Sequence, residues 1–154
     1  MSDLSAALRS LAREEFELGR TGLLNVVNAE PDNAAAWAYL SGAHLALTEV
    51  DAARAASERA LDLDPDGFAP RLKAGELALR LGDSTAAEAH FVAALRAVEP
   101  GTPEAAAAKR ALVIVRNRLR QSVRHGAALP RLRLPLRLSF AAASRRRHPI
   151  DTVR

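Results

Sequence analysis

Residues 37–65 read WAYLSGAHLALTEVDAARAASERALDLDP, and the organisation of the chain is built around this stretch. The positions that define its spacing are Trp37, Leu40, Ser41, His44, Ala53, Ser57, Ala60 and Pro65. The stretch is framed by two turn clusters, Pro31-Asp32-Asn33 before it and Asp64-Pro65-Asp66-Gly67 at its end. Clusters of this kind stop one helix and cap the next.

A shift of 34 residues brings the stretch into register with the sequence that follows. Seven residues then fall on identical ones, namely Leu45, Leu47, Ala52, Ala53, Ala55, Ala60 and Leu61 on Leu79, Leu81, Ala86, Ala87, Ala89, Ala94 and Leu95. Ser41 falls on Gly75 and Ser57 on Phe91, whereas Trp37 falls on Arg71. A backward shift aligns Leu45, Arg54, Pro65 and Asp66 with Leu11, Arg20, Pro31 and Asp32. The first copy is divergent, as terminal repeats often are.

This spacing resembles the tetratricopeptide (TPR) repeat, whose signature is W-x2-L-G-x2-Y, then A-x3-F and a closing P over 34 residues. Five positions match in kind, namely Trp37, Leu40, Ala53, Ala60 and Pro65, and three depart, namely Ser41, His44 and Ser57. The resemblance implies an all-α fold, a right-handed superhelical stack of antiparallel helix pairs. The repeats would span about 1–33, 34–67 and 68–101.

A further helix is predicted at about 103–125. Thr102-Pro103-Glu104 combines a hydroxyl cap, a proline at the first helical position and an acid in the first turn. An apolar stripe with steps of four, three, four and four follows, formed by Ala108, Leu112, Val115, Leu119 and Val123. Because a stack of repeats leaves an open apolar end, we interpret this segment as a capping helix. The predicted helical domain spans residues 1–126.

The composition favours an all-α fold and narrows the chemistry. Hydrophobic residues make up 49% of the chain but aromatic ones only 4%, a mix typical of closely packed, alanine-rich helices. The chain has no Cys, which excludes disulfides and cysteine nucleophiles. The first residues lack the order of a signal peptide, and no apolar run approaches the roughly 18 residues of a membrane span. We therefore expect a soluble, cytoplasmic protein.

No catalytic or metal-binding motif stands out in the sequence. The four histidines, His44, His90, His125 and His148, are scattered and form no pair at the i, i+4 spacing of metal ligands. Nothing resembles a glycine-rich phosphate loop or a nucleophile elbow. We expect no enzyme activity, no cofactor and no metal. His44 stands at the signature Tyr position, where we expect it to pack between helices.

The resemblance directs attention to a surface. In TPR-like stacks the first helix of each pair lines a concave face that receives peptides or helices. In this chain the groove would be lined by Leu8, Leu11, Ala38, Tyr39, Gly42, Leu72, Lys73, Glu76 and Arg80. A carboxylate clamp, built from Asn and Lys, is not expected because Ala38 and Gly42 occupy two of its places. The implied function is a non-catalytic scaffold or adaptor that binds a partner peptide or helix in a largely apolar groove. The small residues could equally well pack neighbouring helices.

The arginines support a second interpretation. Residues 1–115 carry 11 Lys and Arg against 17 Asp and Glu, a net charge of −6, and residues 116–154 carry 11 Arg against one Asp, a net charge of +10. Residues 127–154 are interpreted as an Arg-rich, mostly disordered tail. Nucleic acid or an anionic membrane surface could bind Arg116, Arg120, Arg124, Arg131, Arg133, Arg137, Arg145, Arg146 and Arg147. The tail could also fold back on the acidic body, the helical arginines could be a solvated face, and the open stack ends make self-association possible.

Overall fold

The computed structural model describes the backbone of residues 3–127 and the side chains of residues 3–124. These residues form seven α-helices and no strand, which confirms the predicted all-α class. The helices are α1 (Asp3–Ala12), α2 (Phe16–Ala29), α3 (Ala34–Ala46), α4 (Val50–Leu63), α5 (Phe68–Arg80), α6 (Ser84–Arg96) and α7 (Pro103–Ala127). The predicted Arg-rich tail, apart from Ala127, lies outside the described residues.

The first six helices pair as three hairpins, α1–α2, α3–α4 and α5–α6, and the hairpins stack in chain order. The first helices of successive hairpins are neighbours, α1 of α3 and α3 of α5. α7 packs on α6 and also contacts α5. It therefore extends the row of first helices, and we call the side formed by α1, α3, α5 and α7 the first-helix face.

In the second and third hairpins, the seam depends on a small residue of the first helix and a residue of the second helix whose size suits the space that is left. In the third hairpin, Phe91 is completely buried, and a Cβ added to Gly75 would lie 2.5 Å from its Cε1. In the second hairpin the equivalent pair is Ser41 and Ser57, both buried. The Ser41 hydroxyl donates a 2.7 Å hydrogen bond to the carbonyl of Ala53. The two departures from the TPR signature therefore compensate each other, because the smaller partner leaves room for the hydroxyl.

Successive hairpins are joined by the same hydrogen bond, made by different side chains. The indole N–H of Trp37 donates to the carbonyl oxygen of Pro31 at 2.9 Å. In the next hairpin the Nε–H of Arg71 donates to the carbonyl oxygen of Pro65. Donor and acceptor of the second bond each lie 34 residues after those of the first. Arg71 therefore makes the hydrogen bond that Trp37 makes at the signature position.

The turns within the hairpins also recur at 34-residue intervals. Glu14 and Thr48 have φ of 63°, and Gly82 has φ of 86°. In each turn the following N–H bonds to a carbonyl five residues earlier, as in Glu49 to His44 at 2.9 Å and Asp83 to Ala78 at 2.9 Å. This is the Schellman ending of a helix, which usually has glycine at the left-handed position. Only the third turn has the glycine, so the other two contain backbone strain.

An ion-pair network connects the first two hairpins. Arg20 of α2 donates to one Glu49 oxygen at 2.6 Å, and the Nδ1 of His44 lies 2.5 Å from the other. These hydrogen bonds, from His44 first and then Arg20, lower the pKa of the Glu49 carboxyl below its ordinary value. His44 therefore packs between helices, as expected from its position, and also binds an acid.

The first prediction compares two glycines on first helices. Gly75→Ala should lower the stability by about 1–3 kcal/mol relative to Gly42→Ala, because the buried Phe91 ring has no room to move. At Gly42 the nearest atom to an added Cβ is Lys73 Cδ at 3.3 Å, on a side chain that can shift. The gain in helix propensity is common to both variants and cancels. Urea unfolding followed by far-UV circular dichroism measures the difference, and equal midpoints would contradict it.

The second prediction concerns the strained turns. Thr48→Gly should raise the stability by about 1 kcal/mol, because a β-branched residue is costly at positive φ. The reciprocal change, Gly82→Thr, should lower it by a similar amount. Thermal unfolding of the two variants beside the wild-type chain measures both effects. A lower midpoint for Thr48→Gly would show that the turn is not strained.

Candidate partner-binding groove

The centre of the first-helix face is formed by side chains from α3 and α5. The Lys73 ammonium lies 5.8 Å from the ring centroid of Tyr39 and 2.8 Å from a carboxylate oxygen of Glu76. The Lys73 stem also crosses Gly42, whose missing side chain leaves space for it. The structure therefore brings together four of the residues predicted for the groove, and the ammonium is held between an aromatic face and a carboxylate.

A pocket of about 390 Å³ continues from this cluster toward the ends of α3 and α5. It is lined by Leu45, Glu76, Leu79, Arg80 and Arg118. Arg118 comes from α7 and donates a 3.3 Å hydrogen bond to the carbonyl oxygen of Leu79. The pocket thus combines a leucine from each of two hairpins with two guanidinium groups and one carboxylate.

Three lining residues of this pocket, Leu45, Leu79 and Arg118, were missing from the sequence-based groove. Leu45 and Leu79 follow Gly42 and Glu76 by three positions, so they share a helix face with residues that were included. They are also an identical pair at the 34-residue shift, which is a signal that could have found them. Assigning Arg118 to the pocket required knowing that α7 continues the row of first helices.

Of the other residues predicted for the groove, Ala38, Leu11 and Leu72 are engaged in packing. Ala38 is 0% exposed, so it packs between helices, which was the alternative use of the small residues. Leu11 packs against the first core cluster and lies over Gly19, and Leu72 packs against the second core cluster. Leu8 is half-buried and does not line the pocket beside Arg80. The accessible groove is therefore shifted toward the C-terminal half of α5.

The arginines predicted for polyanion binding fall in two groups. Arg116, Arg120 and Arg124 lie on α7, and Arg116 pairs with Glu88 at 2.6 Å, which leaves a shorter basic ridge than the sequence indicated. The others, Arg131, Arg133, Arg137, Arg145, Arg146 and Arg147, lie outside the described residues. Polyanion binding stays a prediction of the sequence.

His44 and His90, the histidines whose side chains are described, do not line the pocket beside Arg80. His44 belongs to the network of Glu49, and His90 Nδ1 lies 3.4 Å from a guanidinium nitrogen of Arg71. Burial, and then the charge of Arg71, lower the pKa of His90. Within residues 3–127 no group of three or more acidic or histidine side chains is arranged to hold a metal ion.

None of the helices described is both long enough and apolar enough to cross a bilayer.

Known proteins with a similar structure are peptide-binding chaperones and TPR domains. PcrH, solved in complex with the chaperone-binding region of PopD, superposes with a TM-score of 0.60 at 20% identity, over 75% of this chain and 89% of PcrH. The Yersinia enterocolitica type III secretion translocator chaperone SycD, in an alternative dimer, gives 0.61 at 16% identity, over 76% and 91%. The TPR domain of P58(IPK) gives 0.58 at 27% identity, over 81% of this chain and 36% of that chain.

No protein-family model and no curated protein matches the chain by sequence. The seams within the hairpins, the hydrogen bonds between hairpins and the turns all recur at 34-residue intervals. This recurrence and the superpositions together identify the fold. The chain is a TPR-like helical repeat protein.

Proposed function

We propose that this chain is a non-catalytic scaffold or adaptor, cytoplasmic as the sequence predicts, that binds a segment of a partner protein along its first-helix face. The observation that carries the proposal is the pocket formed by Leu45, Leu79, Arg80 and Arg118, which is built from three separate helices. A segment that lies across α3, α5 and α7 would contact all of its walls at once.

The chemistry of the pocket indicates the kind of segment. Lys73 and Glu76 neutralise each other, whereas Arg80 is exposed and pairs with no carboxylate among the described residues. Arg118 is exposed as well and, among the described residues, is seen to bond to a carbonyl oxygen and to no carboxylate. Apolar side chains would bind against Leu45 and Leu79, and an acidic residue of the partner would bind the two guanidinium groups.

The structural neighbours support a peptide as the partner. PcrH was solved with a region of PopD, and SycD was solved with a peptide of the translocator YopD at 15% identity to this chain and a TM-score of 0.59. The shared architecture makes an extended or helical segment a reasonable ligand for the first-helix face here.

The third prediction tests the groove with a displayed peptide library selected on the full chain. Selected peptides should combine apolar residues with Asp or Glu. Arg80→Glu combined with Arg118→Glu should raise the dissociation constant of the best peptide at least tenfold, because the groups that bind the acid are reversed in charge. Fluorescence anisotropy measures the dissociation constant. The two arginines are chosen for substitution because they are exposed. Substitutions at Tyr39 or Leu72 would also disturb packing against the core.

The matched control is Arg54→Glu combined with Arg59→Glu, two exposed arginines of α4 outside the first-helix face. This variant has the same change in net charge and should bind the peptide as the wild type does. Equal loss in both variants would mean that net charge alone governs binding. Full binding by the Arg80 and Arg118 variant would exclude this pocket as the peptide site.

A further inference from the structure

The last helix is much longer than the stack that it covers. α7 has 25 residues, about 37 Å, whereas α5 has 13, about 20 Å. Its last buried residue is Val115, and Arg118 bonds to Leu79 at the end of α5. The following residues therefore extend past the edge of the stack at which the turns α1–α2, α3–α4 and α5–α6 lie. We call this edge the turn edge and residues 119–124 the α7 extension.

The α7 extension carries an apolar patch with a basic border. Leu119 and Val123 continue the buried stripe of α7, yet Val123 is 72% exposed because no helix of the stack reaches it. Together with Arg120 and Arg124 they line a shallow pocket of about 370 Å³. The ion pairs found among residues 3–127 do not involve either arginine.

The other end of the turn edge carries a patch of similar size and opposite charge. A pocket of about 400 Å³ lies between the turns α1–α2 and α3–α4, lined by Glu14, Glu15, Phe16, Glu17, Leu18 and Leu47. Leu18 is 60% exposed. Glu17 pairs with Arg20, whereas Glu14 and Glu15 project from the turn and form none of the ion pairs of the described part of the chain. We call this patch the acidic cleft.

The two patches are both apolar at their centre and opposite in charge at their border. Both present exposed aliphatic side chains, and the border of one is basic where that of the other is acidic, which favours contact between them. They cannot meet within one copy, because the second and third hairpins lie between α2 and α7. Residues 128–154 are a poor cover for the α7 extension, since they carry seven Arg and one Asp and would bring positive charge to Arg120 and Arg124.

We propose that two copies of this chain associate through their turn edges, the α7 extension of each lying in the acidic cleft of the other. Because both patches lie on the same edge, a two-fold axis repeats the contact and closes the assembly at a dimer. The centre of the first-helix face, around Tyr39 and Lys73, belongs to neither patch.

The fourth prediction is tested by sedimentation velocity of the full chain over a range of concentrations at low and moderate salt. The wild type should form a dimer that weakens as salt rises. Val123→Asp should be monomeric. Arg120→Glu with Arg124→Glu should raise the dissociation constant at least tenfold, and so should Glu14→Arg with Glu15→Arg. A chain with all four changes should regain the dimer, because the charges are then exchanged rather than lost.

The matched control is Lys109→Glu with Arg110→Glu, two exposed basic residues nearer the start of α7. It changes the net charge equally and should leave the dimer intact, and circular dichroism checks that every variant is folded. A wild-type chain that is monomeric at all concentrations would overturn the proposal. A dimer that persists in each of the two charge-reversed variants would also overturn it. A chain with all four changes that stays monomeric would do the same. Growth beyond dimers that Ile114→Asp blocks would indicate end-to-end stacking instead.

Discussion

The close approach of two helices within each hairpin is the constraint on which the rest of the structure depends. Where α5 meets α6, the absence of a side chain at Gly75 lets the Phe91 ring reach the helix backbone. Where α3 meets α4, a smaller pair fills the same space and Ser41 bonds to the opposite backbone. Because protein interiors tolerate neither voids nor overlap, the two facing residues must change together. Once the seams are set, the spacing between hairpins and the row of first helices follow from them.

Much of this architecture could be predicted from the sequence, because a regular interval is a property of the chain itself. The all-α class follows from periodicity and the start of α7 from its Thr102 cap, whereas the placing of Tyr39, Gly42, Lys73 and Glu76 on one face was implied by the TPR resemblance. What periodicity does not contain is three-dimensional compensation. Arg71 breaks the signature but keeps the hydrogen bond of Trp37. Glu14 and Thr48 adopt a glycine-like conformation that their residue types do not indicate.

The groove was harder to predict than the fold, for a physical reason. On a first helix, the positions that face the groove lie next to the positions that face the neighbouring helix. A residue such as Ala38 can therefore match the spacing of groove residues and still be buried. Leu45 and Leu79 lie one turn further along the same helices, where they line a pocket together with Arg118 of α7. The contribution of Arg118 depends on how far α7 continues, which no local pattern in the sequence records.

The hydrogen bond that joins successive hairpins has a consequence for how such chains are recognised. Its acceptor is a main-chain carbonyl, present whatever side chain that residue has, so only the reach and the N–H of the donor are constrained. An indole and a guanidinium both meet that requirement here. Glutamine, histidine or lysine would have the right donor too. Homology detection that scores amino-acid identity at this position would therefore undercount units of this architecture, whereas detection based on donor chemistry and interval would retain them.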